Sequence, residues 1–191
     1  TAPMPYISTA NGLWSDTTTW TNGLVQNVPY SLSIVDGVTP IDWNIVRMNH
    51  NVSSTGNKVV LALFNESNTI TASNDSKLEV THFLRLNGKI DLQGESQLVQ
   101  TTGSDLDPTS SGLLERDQDG TNDKFNYNYW SSPVGISNTT TNNNNYTVNS
   151  VLRDGTNPSS PQNITWTNSI NGSPTNPITL SAYWIYKFQN T

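Results

Sequence analysis

Apolar and polar residues alternate along 49–101, and the alternation returns at a spacing of about 20 residues. Thr69-Ile70-Thr71-Ala72-Ser73 lies above Lys89-Ile90-Asp91-Leu92-Gln93. Ser76-Lys77-Leu78-Glu79-Val80-Thr81 likewise lies above Ser96-Gln97-Leu98-Val99-Gln100-Thr101. Each copy holds two short segments of period 2, separated by polar turn residues, which predicts strands with one buried face. A weaker copy runs through His50-Asn51-Val52-Ser53 and Lys58-Val59-Val60. It places Val52 above Ala72 and Leu92, and His50 in the slot of Ile70 and Ile90. One such copy cannot bury its apolar face alone, so the copies must stack into a solenoid. The expected fold is all-β and opens as a short parallel β-helix. Ile70, Ile90, Leu78, Leu98, Ala72 and Leu92 are expected to point inward in register.

The pattern divides the chain into three parts. Residues 1–30 carry two Asn-Gly turn signals around Trp14 and Trp20. This segment reads as an N-terminal cap in which the two indoles plug the end of the solenoid; a sugar-stacking platform is the alternative use of the same pair. Residues 31–105 hold the coils, with strands predicted at 31–35, 44–48, 59–64, 69–71, 78–80, 83–86, 89–92 and 97–100. The polar stretch 101–112 reads as a boundary, with Leu113-Leu114 after it predicted to pack against the coil that carries Leu98. In 106–191 the strands become aromatic, at 125–130, 163–167 and 178–188, which suggests an antiparallel sandwich or jelly roll. The Asn- and Thr-rich tract 137–145 reads as an exposed loop.

Composition narrows the function classes. The chain has 33% hydrophobic and 13% charged residues, with Asn, Thr and Ser making up the difference, and its six Trp and seven Tyr point to packed cores. The formal net charge is −6, and the nine Lys and Arg form no cluster. Nucleic acid is therefore disfavoured, since its recognition needs a concentrated basic face. Anionic membrane surfaces are disfavoured for the same reason. With no cysteine, disulfides and thiolate metal sites are excluded. No apolar run approaches a membrane span and no secretory leader is visible. The chain lacks an initiator Met and stops inside a strand-like segment, so it reads as a processed piece of a longer protein.

Candidate chemistry is sparse. Asp117, Asp119 and Asp123, with Gly120 between them, form the one metal-like constellation. Alternating carboxylates and a tight turn could wrap oxygens around Ca²⁺, although the run also fits a plain hairpin turn at Asp119-Gly120. No other cofactor is implied. His50 and His82 are far apart in sequence, and His50 is expected to be partly buried and hydrogen-bonded. Asp105, Asp107, Glu115 and Asp117 cluster in sequence; sugar-cleaving enzymes need two carboxylates across a groove, but no spacing here marks such a pair. The chain is not expected to be an enzyme. Seven Asn-x-Ser/Thr sequons occur, most of them expected by chance in a chain this rich in Asn, Ser and Thr.

Several motifs carry a family resemblance. Asn11-Gly12-Leu13-Trp14-Ser15, Asp42-Trp43-Asn44-Ile45-Val46, Leu84-Arg85-Leu86-Asn87-Gly88-Lys89-Ile90-Asp91-Leu92, Tyr127-Asn128-Tyr129-Trp130-Ser131-Ser132-Pro133-Val134, Leu152-Arg153-Asp154-Gly155-Thr156-Asn157-Pro158 and Trp184-Ile185-Tyr186-Lys187-Phe188 resemble large secreted cell-surface proteins of Bacteroidetes, notably flavobacteria. The resemblance implies export by the type IX secretion system, a place outside the cell or on its outer surface, and a role in adhesion or gliding. The implied partners are other domains of the same long polypeptide, the secretion machinery and surface glycans. No catalytic residue comes with it, and Gln is usual in that family at the position of Asp119. Asp16-Thr17-Thr18 resembles the short motif on which these bacteria place O-linked glycans, which marks Thr17; without glycosylation it is a turn before Trp20. The expected function is a structural and adhesive module. A carbohydrate-binding module is the second reading and a polysaccharide-active β-helix enzyme the third.

Overall fold

The structure is a computed structural model that describes residues 4–25, 31–32, 36–41, 44–121, 126–130 and 147–186. In chain order its strands are β1 (Tyr6–Ile7), β2 (Gly12–Leu13), β3 (Ser31–Leu32), β4 (Pro40–Ile41), β5 (Ile45–Met48), β6 (Val52–Thr55), β7 (Lys58–Asn65), β8 (Thr69–Ser73), β9 (Lys77–Leu86), β10 (Lys89–Leu92), β11 (Gln97–Gln100), β12 (Asp105–Leu106), β13 (Leu113–Arg116), β14 (Arg153–Asp154), β15 (Gln162–Asn163), β16 (Thr165–Thr167) and β17 (Thr179–Ser181). Two compact units result, Thr1–Asn144 and Asn145–Thr191.

The first unit contains a parallel β-solenoid of roughly four turns. One sheet runs β13-β10-β8-β6-β2, and we term it the first face. The other runs β1-β5-β7-β9-β11, with β12 also pairing β9. This second sheet divides where Val60 pairs Val80 but Ala62 pairs Phe83, leaving Leu61 opposite two residues. Such a bulge bends a sheet. Before it, β9 pairs β11 through Lys77–Val80; after it, β9 pairs β12 through Phe83 and Leu84. The coils that begin at β6, β8 and β10 therefore each contribute a first, a second and a third segment, and these form three faces.

Alternation fills the interior as the sequence predicts. Ile70, Ile90, Leu78, Ala72 and Leu92 are at most 2% exposed. Leu98 is half-buried and packs against the same core. Ile70 pairs Ile90, Ala72 pairs Leu92 and Leu78 pairs Leu98, all in register. The earlier copy is offset differently from the expectation. Val52 pairs Ile70 and Ser54 pairs Ala72, so Val52 and not His50 fills the isoleucine slot. The cause is the Gly56-Asn57 turn, two residues shorter than its successor: Thr55 pairs Ser73, while Lys58 pairs Leu78. Lys58 thereby takes an inward slot at 7% exposure, and its Nζ curls back to the carbonyls of Thr55 (2.6 Å) and Gly56 (3.2 Å).

The solenoid also runs past its expected end at 105. β13 continues the first face, with Leu113 to Arg116 in register with Lys89 to Leu92. Leu114 packs on the core as expected, while Leu113 points out at 66% exposure.

At the N-terminal end Trp14 and Trp20 are 1% and 4% exposed. Their rings meet edge to face at 5.3 Å, and Trp20 Nε1 donates to the Trp14 carbonyl at 2.9 Å. Both join the core cluster together with Val25, so the pair packs as a plug.

The expected sandwich is not what the described part of the second unit shows. It holds one antiparallel pair, β14 with β15, and one parallel pair, β16 with β17. The predicted strand 163–167 breaks at Ile164, which turns into the interior at 7% exposure. The strand predicted from 178 ends at Ser181, whose hydroxyl accepts from Tyr183 N and caps a 3₁₀ turn over Ala182–Trp184. Residues 126–130, expected as strand, are exposed and without strand pairing. Phe125, the tract 137–145 and residues 187–188 lie outside the described residues.

Two substitutions test this packing. Ile90→Asp buries a carboxylate without a partner and should cost roughly 4–5 kcal/mol, enough to unfold a marginal domain. Gly88 sits at a corner against the preceding coil, where a Cβ would meet the Asn68 carbonyl, Asn65 Oδ1 at 2.5 Å and the Ser67 carbonyl carbon at 2.8 Å. Gly88→Ala should therefore cost about 1–3 kcal/mol through overpacking. Urea unfolding monitored by circular dichroism checks both; wild-type midpoints would refute the register.

Candidate functional site

The outward positions of the coils carry the candidate chemistry. On the first face Ser53, Thr71, Asp91 and Glu115 lie in one register row. Alternation with Ile90 and Leu92 turns Asp91 outward, yet it is only 7% exposed. Gln93 Nε2 donates to its Oδ2 at 3.2 Å. Beside it, Lys89 Nζ meets Glu115 Oε2 at 3.0 Å. Glu115 Oε1 is buried without a hydrogen bond among the described residues. Burial raises the pKa of Asp91; Lys89 opposes the rise, Glu115 and Asp117 add to it, and the Gln93 hydrogen bond opposes it. Burial likewise raises Asp117, with Glu115 and Asp119 adding and Lys89 opposing.

This grouping redistributes the four carboxylates that cluster in sequence. Glu115 and Asp117 join Asp91 on the first face, whereas Asp105 pairs with Phe83 on the third. Asp107 accepts from Thr109 N (2.8 Å) and Thr109 Oγ1 (2.7 Å) and lies 3.5 Å from Arg85 Nε. The Thr109 hydroxyl, followed by its amide, lowers the pKa of Asp107. Asp91 was missed because its partner Glu115 is 24 positions away, on a strand beyond the apparent end of the repeat. Extending the alternation through Leu113 to Arg116 is the signal that would have found it.

The third face is built differently. Arg47, Phe64 and Arg85 form one outward row, and Ala62 and Phe83 the next. The phenyl rings of Phe64 and Phe83 lie 5.4 Å apart at 42°, and Arg47 Cζ is 5.6 Å from the Phe64 ring centre. Glu66 bridges Arg47 Nη2 (3.0 Å) and Arg85 Nε (3.7 Å).

The remaining sequence candidates are placed as follows. Trp14 and Trp20 are buried against each other and the core, so neither presents a ring to a sugar, and the stacking role is corrected to packing. Asp119 and Gly120 are exposed, and 117–121 forms no turn at Asp119-Gly120. Gly120 is not among the glycines with positive φ. Asp123 lies outside the described residues, among which no three His, Asp or Glu side chains form a group able to hold a metal ion. His50 is partly buried, with Nδ1 3.0 Å from Ser8 Oγ, as expected, although not in the isoleucine slot from which that was inferred; His82 is exposed. Thr17 is exposed on a 3₁₀ turn, Thr17–Thr19, that Asp16 caps by accepting from Thr18 N and Oγ1, both at 2.8 Å. Among the described residues no helix is long and apolar enough to cross a membrane.

The carboxylate row predicts a pH dependence. The folded pKa of Asp91 lies above its unfolded value, so ionisation penalises the fold. The penalty is absent below the unfolded pKa of about 3.9 and complete above the raised folded one. Asp91→Asn should raise the melting temperature at pH 7, and the gain should shrink as pH falls through the raised pKa toward about 4. Thermal scans from pH 3.5 to 7.5 on both proteins measure it; a gain that does not change with pH would remove the electrostatic account.

Compared with known proteins, the chain matches no family model, and neither curated proteins nor solved structures give a significant match.

Proposed function

We propose that the chain is a structural and adhesive module of a large secreted bacterial surface protein, exported by the type IX system. The observation that carries this reading is the stacked core of the first unit. Val52, Ile70, Ile90 and Leu114 form one continuous inward row from coil to coil. Side chains packed this way resist local rearrangement, so the outer faces are displayed on a stiff support. The neutral-polar composition and the family resemblance of the motifs support a place outside the cell. Its partners are then the rest of its polypeptide and the surface to which that polypeptide attaches.

Adhesion is measurable directly. Beads coated with the purified chain should be retained under shear on at least one of three surfaces, namely glass, immobilised polysaccharide and immobilised protein, at levels above albumin-coated beads. Retention equal to albumin on all three would overturn the adhesive role.

A further inference from the structure

We propose that the third face carries a binding site for a neutral sugar residue, formed by the rings of Phe64 and Phe83 and by the ion-pair chain Arg47–Glu66–Arg85–Asp107. The inference rests on the adhesive reading and names what the surface would hold. Leu63 and Leu84, which alternate with these side chains, are buried in the core, so Phe64, Phe83, Arg47 and Arg85 face outward. Both phenyl groups are half-buried, and Ala62 on the same face is covered at 7% exposure. The rings thus form a small fixed apolar surface, held from one side by the Arg47 guanidinium.

The rim beside the rings is polar and unsaturated. Arg85 reaches its carboxylates only through Nε, at 3.7 Å from Glu66 and 3.5 Å from Asp107. Both distances exceed those of good N–H···O bonds. Arg85 Nε is buried without a hydrogen bond among the described residues. No hydrogen bond engages its two terminal nitrogens among those residues, which leaves them to donate outward. Glu66 and Asp107 supply acceptors next to these donors, with side chains 21% and 16% exposed.

A sugar ring matches both halves. Its C–H face packs on aromatic carbon, while its hydroxyls donate and accept at once, as a guanidinium beside a carboxylate requires. Charge selects the class of sugar. Two guanidinium groups are balanced by two carboxylates, so the site offers no net charge to attract a uronate or an amino sugar, either of which would have to give up the hydration of its own charge. A neutral hexose or pentose meets no such penalty.

The test is a saccharide array probed with the full chain. It should include neutral gluco-, manno- and xylo-oligosaccharides together with an anionic galacturonate oligomer. Two variants accompany the wild type. Phe83→Leu keeps apolar cover over Ala62 but removes the ring, and Arg85→Gln keeps polarity but removes the planar donor pair; thermal melts establish that each is folded. At least one neutral oligosaccharide should bind, and affinity should fall about tenfold or more in each folded variant. No neutral binding, binding unchanged in the variants, or binding of the galacturonate alone would each overturn the proposal. So would self-association in sedimentation that Phe83→Leu abolishes, because the occupant would then be a second copy. Bead retention that survives in Phe83→Leu without any saccharide binding would sink this site and leave the adhesive role standing.

Discussion

Everything in the first unit depends on parallel stacking in register, because no coil can bury its apolar side chains except against the next. Ile70 is enclosed by Val52 on one side and Ile90 on the other. A one-residue slip would turn every such side chain to solvent. The corners obey the same constraint. Asn51 Oδ1 accepts from Thr69 N, Asn57 Oδ1 from Lys77 N and Asp75 Oδ1 from Glu95 N, at 2.9–3.0 Å. Each takes an amide proton of the following coil that no strand pairing would satisfy. Gly112 repeats the role of Gly88 one coil later, packed against the Gly88 and Leu86 carbonyls.

Stacking leaves the outer side of the first described coil to be covered by something other than a coil. Trp14 and Trp20 cover it with large apolar area and a fixed geometry. Backbone bonds tie the plug in place, from Thr9 N to the Thr19 carbonyl and from Thr21 N to the Ile7 carbonyl, both at 2.9 Å. The same need explains why the indoles are unavailable to a ligand: a plug works only if its rings are covered. On the third face of the coils, Phe64 and Phe83 remain partly accessible, because they sit outside the core and were never needed to close it.

How much of this the sequence revealed follows from the range of the interactions. Ile70, Ile90, Leu78 and Leu98 were legible because strand alternation and the 20-residue spacing are both visible in one dimension. Val52 was misplaced because a two-residue difference in turn length preserves the alternation and so leaves no local mark. Lys58 was not recognised as an inward residue, since its burial depends on carbonyls at the Gly56 turn. Asp91 and Glu115 looked like ordinary polar positions until the coils brought them side by side. The aromatic strands of the second unit misled for another reason. Short apolar runs there are held by caps and side-chain bonds, such as Asp154 Oδ2 with Ile178 N at 2.7 Å, more than by long strand pairing.

The corner between the second and third faces has a consequence for how such a chain can change over time. There Leu61 alone separates Val60 from Ala62, two residues separate Val80 from Phe83, and four separate Gln100 from Asp105. Register is nevertheless regained each time, with Ala62, Phe83 and Asp105 falling in one row. Chain length at this point is nearly free, as expected when doubling a loop costs only about 0.6 kcal/mol. Insertions and deletions at the corner can accumulate without disturbing any face. It is therefore the natural graft point for new loops, where lineages of this fold could diversify while the stack beneath stays the same.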